Sequence, residues 1–204
     1  DKPLPVDTPL DRLRSHLTAL SAHAAVDNRA NYKLLPREII RVWRRDAGRL
    51  KAADSSGAEL NGRTMLIRAL ALRRMLRREV FCGDTSPVGV LLPPSVAGVV
   101  TNVAMALDRR TTANLNYTVT SAVLNQCIAQ AKIKTVLSSA KFLEKVNFEL
   151  DAQVIALEDL KDKVSKVDKA VAVIQAVLLP AFLLDWVLGL HRIKPDDILT
   201  LIFT

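Results

Sequence analysis

Short apolar runs alternate along most of the chain with longer stretches of helical periodicity. Leu10, Leu13, Leu17 and Leu20 recur at helical steps and give one apolar stripe. After Ala25, the residues Val-Asp-Asn-Arg-Ala-Asn-Tyr-Lys carry no period and read as a linker. Pro36 suits the first turn of a helix through about Ala47, with Gly48 as its stop. A strand near Lys51–Ala53 leads into the turn Asp54-Ser55-Ser56-Gly57, and a long helix spans about Gly62 to Glu79. Val88–Leu92 is an unbroken apolar run closed by Pro93-Pro94, the mark of a strand buried on both faces. A helix over about Ser95–Leu107, a strand around Thr112–Leu115 and a helix over Ser121–Ala131 follow. Strands at Thr135–Ser138 and Val154–Leu157 come next, then a helix over Asp168–Leu188 and a terminal apolar strand within Asp196–Thr204.

Strands alternating with helices predict βαβ units. The expected class is α/β, a mostly parallel sheet flanked by helices and preceded by a helical segment. Residues 1–34 read as a partly helical tail from something upstream, and 35–204 as the domain proper.

Composition narrows the function classes. A chain of 204 residues, 50% hydrophobic and 25% charged, is globular and long enough for one real core. Aromatics at 4% argue against a stacking platform for single-stranded nucleic acid. The net charge of +8 comes largely from arginine, and no nucleic-acid-binding motif accompanies it. Cys82 and Cys127 sit far apart, which suits a reducing compartment and inert thiols. The apolar stretch Ala176–Leu190 is broken by Pro180 and Asp185 and is too short to span a bilayer.

Several segments match one family in order and spacing. Val88-Gly89-Val90-Leu91-Leu92-Pro93-Pro94-Ser95 resembles the strand, proline and small polar residue of adenylate-forming enzymes. Asn114-Leu115-Asn116-Tyr117-Thr118 resembles their turn after the next strand, and Lys134-Thr135-Val136-Leu137-Ser138-Ser139 the strand that follows. Asp196-Asp197-Ile198-Leu199-Thr200-Leu201-Ile202-Phe203-Thr204 resembles the lead-in to their phosphate-binding loop. The likeness covers Leu50 to Thr204. It is closest to the synthetase half of bifunctional proteins joining a 2-acylglycerophosphoethanolamine acyltransferase to an acyl-carrier-protein synthetase. One departure is Asp108-Arg109-Arg110, which stands where many members have a glycine-containing turn.

The resemblance implies the N-terminal part of a fatty-acid-activating ligase, cut before its phosphate loop and inactive alone. It implies ATP with Mg²⁺ in the intact protein, and a fatty acid plus acyl-carrier protein or CoA as partners. Thr204 would be the first loop residue and the one cofactor-binding position; no catalytic or metal-binding residue is expected. It also implies a cytoplasmic protein, held at the inner membrane face through an upstream domain.

Other residues carry weaker readings. Arg63, Arg68, Arg73, Arg74, Arg77 and Arg78 share a helix with Leu66, Leu70, Met75 and Leu76. The plain expectation is an outer helix with solvated arginines; the alternative is a non-catalytic module using this face on an anionic membrane. Glu158–Lys169 alternates acids with lysines and reads as solvated surface. His191 and Asp196 have the His-x-x-x-x-Asp spacing of a general-base pair in glycerolipid acyltransferases. Their placement favours a charge near a helix C-terminus and a turn aspartate instead. His16 and His23 lie seven apart with no further ligand nearby, so no metal site is expected.

Overall fold

The computed structural model describes residues 9–30 and 33–203, with residues 23–30 as backbone only. The chain divides into two units, Asp1–Leu34 and Leu35–Thr204. In the first, α1 (Pro9–Ala30) carries Leu10, Leu13, Leu17 and Leu20 exposed. It continues through Val26–Ala30, so this part of the aperiodic stretch is helical; no glycine or proline interrupts it.

The second unit begins with α2 (Leu35–Arg45), which has Pro36 in its first turn. A bulged antiparallel hairpin, β1 (Leu50–Ala53) and β2 (Glu59–Asn61), follows. Gly57 closes its turn at φ +80°, a left-handed conformation that glycine adopts without a Cβ penalty. The hydrophobic pattern misses β2 because three residues are too few to show an alternation. Helix α3 (Gly62–Leu76) starts at Asn61, whose side chain accepts the Thr64 N–H. The helix expected to reach Glu79 changes character after Leu76. Arg77–Phe81 forms a π-turn, and Cys82 and Gly83, both at positive φ, redirect the chain.

The remaining elements are β3 (Val88–Leu91), α4 (Val96–Leu107), β4 (Thr112–Asn114), α5 (Ser121–Gln130), β5 (Thr135–Ser138) and the short α6 (Ala140–Leu143). They continue with β6 (Gln153–Ala156), α7 (Lys166–Val173), α8 (Ala181–Leu188) and β7 (Thr200–Leu201). The helix expected over Asp168–Leu188 is two helices. A π-turn at Ile174–Leu178 and then Pro180, which has no N–H to continue a helix, separate α7 from α8. The expected terminal strand shrinks to β7, because the Asp197 carboxylate accepts the Lys194 N–H and makes a turn. β4 then offers only Thr112 and Ala113 for pairing with it.

Five strands form one sheet in the order β6-β5-β3-β4-β7, parallel at every pairing. The α/β expectation holds. β3 lies between β4 and β5, so successive crossovers leave it in opposite directions, as at a topological switch point. All four residues of β3 are buried, as the unbroken apolar run requires. Val88 and Leu137 join a core built with α3, α4, α7 and α8. Leu91, Ala113 and Val136 join a second core with Leu124 and Ile128 of α5.

Two glycines set close approaches. A Cβ at Gly62 would lie 2.7 Å from the Trp43 backbone oxygen, so the start of α3 sits directly on α2. A Cβ at Gly89 would lie 2.9 Å from Val136 Cγ2 and 3.1 Å from Leu115 Cδ1, both side-chain atoms that can shift. Gly89→Ala is therefore expected to cost about 1–3 kcal/mol, the usual range for overpacking. Gly62→Ala should cost more, because a backbone oxygen cannot move aside. Urea denaturation midpoints of the two variants should fall in that order.

Candidate functional site

In open α/β sheets ligands bind beyond the carboxyl ends of the strands. Here that edge gathers Leu92–Ser95 after β3, Asn114–Thr118 from the last residue of β4 onward, Ser138 and Ser139 at the end of β5, and Ile202 and Phe203 after β7. Ser138 is fully buried, and its Oγ donates to the Leu91 carbonyl at 2.7 Å, tying the ends of β3 and β5.

Helix starts at this edge are closed by side chains. Ser95 accepts the Gly98 N–H, Thr120 the Val123 N–H and Ser139 the Phe142 N–H. Two carboxylates add further caps. Asp54, from the β1–β2 turn, accepts the Val96 N–H at 2.9 Å, and Glu158 accepts the Ala140 N–H at 2.9 Å. The Ser56 hydroxyl and the Val96 N–H hold the Asp54 carboxyl below its ordinary range. Burial pushes Glu158 up, but the hydrogen bonds from the Ala140 and Glu158 backbone and from Ser139, with the charge of Lys161, together outweigh it, and the net direction is down. The sequence reads Asp54 as a turn residue; its reach to α4 is a long-range contact with no local signal.

The Asn114–Thr118 segment divides its work. The Asn102 amide donates to Asn114 Oδ1 at 3.0 Å, and Asn114 Nδ2 lies 3.5 Å from the Thr200 hydroxyl. This chain of polar groups connects α4, β4 and β7. Leu115 is buried, and Asn116 Oδ1 accepts from both the Thr118 N–H and its hydroxyl, closing an Asx turn. Tyr117 meets Phe142 edge-on, with ring centroids 5.3 Å apart.

Thr204, the position the resemblance assigns to the phosphate loop, lies outside the described residues. Among the described residues no group of His, Cys, Asp or Glu is placed to hold a metal ion. With the helix N-termini capped internally, these residues do not form a fit for ATP and Mg²⁺ by themselves. What they supply is an edge tied together by hydrogen bonds.

The other residues singled out in the sequence separate. His191 and Asp196 are both exposed, and no hydrogen bond joins them. His16 is exposed, and the His23 side chain lies outside the described residues. Cys82 is exposed and Cys127 half-buried, both free. No helix among the described residues is long and apolar enough to cross a membrane.

The arginine helix differs most from expectation. Met65, Leu66, Ala69, Leu70, Met75 and Leu76 are at most 1% exposed, so α3 is an inner helix. Arg73 is itself buried, with Nε 3.0 Å from Asp108 Oδ1, close enough for an ion pair though off the line of a hydrogen bond. Burial lowers its pKa to about 10, leaving it charged at neutral pH. Arg77 and Arg110 also reach the Asp108 carboxylate, and the Arg110 guanidinium lies 3.8 Å from the centroid of the Phe81 ring. Arg74 and Arg78 converge on Asp168 at 3.4 and 2.7 Å. Arg63 and Arg68 remain exposed.

Asp168 corrects the reading of Glu158–Lys169 as solvated surface. It is 1% exposed and completes a capping box with Ser165 at the start of α7. Burial pushes its carboxyl up; the hydrogen bonds from Arg78 and Ser165 outweigh this and hold it below its ordinary range. The unusual turn Asp108-Arg109-Arg110 also has a physical account. Arg109 takes φ +57°, a left-handed conformation that favours glycine.

No family model matches the chain. Solved structures do match its fold. VinN superposes with a TM-score of 0.62 at 16% identity, over 83% of this chain and 42% of VinN. The N-terminal subdomain of Klebsiella oxytoca NpsA gives 0.55 at 13% identity, over 65% of this chain and 33% of that one. A benzoate CoA ligase from Burkholderia xenovorans gives 0.55 at 16% identity, over 66% of this chain and 29% of the ligase. The fold is that of the N-terminal subdomain of adenylate-forming enzymes. This chain spans less than half the length of each of these three proteins.

Two measurements test the geometry. Ser138→Ala removes a buried hydroxyl bond between β3 and β5 and is expected to cost about 1 kcal/mol in urea unfolding. Because the folded Asp168 pKa is depressed, its contribution is present above the unfolded value of about 4 and lost as pH falls through the folded value. Asp168→Asn should therefore be less stable than wild type at pH 7 and lose less further stability on acidification. Parallel acid-stability curves would contradict the assignment.

Proposed function

We propose that this chain is the N-terminal part of an acid–thiol ligase acting on fatty acids. In that reaction a carboxylate and ATP give acyl-adenylate and pyrophosphate. A thiol then takes the acyl group and releases AMP. The proposed acceptor is acyl-carrier protein or CoA, and the proposed setting is re-acylation of lysophospholipid, with an acyltransferase domain upstream. The observation that carries this reading is the polar link from α4 through Asn114 to Thr200, at the edge where β7 leads toward Thr204. The adenylate-forming fold supports the reaction class, and the segments Asn114–Thr118 and Asp196–Thr204 support the subfamily. Thr204 would contribute its hydroxyl to the phosphate loop, and Mg²⁺ would come with the nucleotide. The described residues would hold that loop's base in place. The alternative of a membrane module resting on the arginine face loses ground, because Arg73, Arg74, Arg77 and Arg78 are engaged with Asp108 and Asp168.

The test compares this chain with a longer gene product that continues past Thr204. Palmitate-dependent exchange of labelled pyrophosphate into ATP is expected from the longer protein and not from residues 1–204. Exchange by the short chain, or none by the longer one, overturns the proposal. Transfer to CoA with none to carrier protein would remove the carrier as acceptor.

A further inference from the structure

On the flank of the second unit, lined by none of the carboxyl-edge residues described above, α2, α3 and the π-turn at Ile174–Leu178 enclose a cleft of about 120 Å³. That is roughly ten times what a single water requires, so a polyatomic group fits. Trp43, Leu66, Ala176 and Val177 give it apolar walls, and Arg44 and Arg63 are its charged lining. No acid lines it. The neighbouring Asp46 is held by Arg45 at 3.2 Å and Lys51 at 3.6 Å.

The two arginines are under-used by the protein. Arg44 donates through Nη2 to the Val177 carbonyl at 3.3 Å, while its Nη1 is buried with no acceptor. A guanidinium cannot shed its proton to relieve this, and a buried donor without a partner is costly, more so when charged. Arg63 makes no side-chain hydrogen bond or ion pair among the described residues. The backbone contributes nothing to recognition, since the first N–H groups of α3 already bond Arg49 and Ala47 carbonyls.

We infer that this cleft binds a small oxyanion, with phosphate as its chemical type, between Arg44 and Arg63. Paired guanidinium forks match a phosphate's oxygens and supply the acceptor that Arg44 lacks. The phosphate could be free or the headgroup of a lipid, and the exposed Ile174, Val177 and Leu178 beside the cleft would meet the apolar part of such a lipid.

Inorganic phosphate titrated into the whole chain, followed by calorimetry at constant ionic strength, tests this. Saturable binding is expected. Arg63→Gln should weaken it about tenfold, the loss of one charge-assisted bond. Arg44→Met should do the same, and Arg68→Gln, an exposed arginine outside the cleft, should leave it unchanged. Arg63 is exposed, so its variant remains informative if Arg44→Met fails to fold. Vesicles of phosphatidylcholine with and without phosphatidic acid distinguish the sources. Capture by phosphatidic acid that phosphate displaces supports the headgroup; phosphate binding without capture supports the free anion. No saturable phosphate binding, or equal binding by all variants, overturns the site.

Discussion

The structure depends on the burial of α3. Its apolar residues face neighbours on most of its circumference, with α4, α7 and α2 packed around it. A helix in that position cannot leave its charges to solvent, and unpaired buried charge is costly. The arginines at its carboxyl end must therefore find acids. Asp108, at the end of α4, and Asp168, at the start of α7, provide them from elements that the chain reaches much later. The same pairing fixes where those two helices can sit against the sheet. It also explains why a chain with net charge +8 keeps part of its arginine inside the fold.

The parallel sheet was legible because its strands are buried on both faces, which leaves unbroken apolar runs such as Val88–Leu91. Most helices between the strands were legible from their period. Elements were missed where length or chemistry erased the period: β2 has three residues and α6 four. Pro180 was visible in the sequence, yet the apolar residues on both sides of it made two helices look like one. Periodicity also ranked α3 as an outer helix. Whether an arginine is solvated or clamped depends on an acid ninety residues away, as with Arg78 and Asp168, and no local pattern carries that.

The candidate site was legible in outline only. Asn114, Asn116 and Thr118 were recognised as a segment, and the structure divides them into a sheet-end link and an Asx turn. The long-range roles of Asp54, Asn102 and Ser138 carried no signal because they arise from tertiary contacts. Together these residues cross-link the carboxyl edge. In the proposed ligase this cross-linking is their contribution, since chemistry at such an edge needs a base held in place.

The most direct test of this account is native-state hydrogen exchange. If α3 is the inner helix on which the second unit is built, its amides from Met65 to Leu76 should exchange only through global unfolding. Their opening free energies should match the unfolding free energy from urea. Amides of α3 that open by local fluctuation, with free energies well below the global value, would show an outer helix and contradict the account.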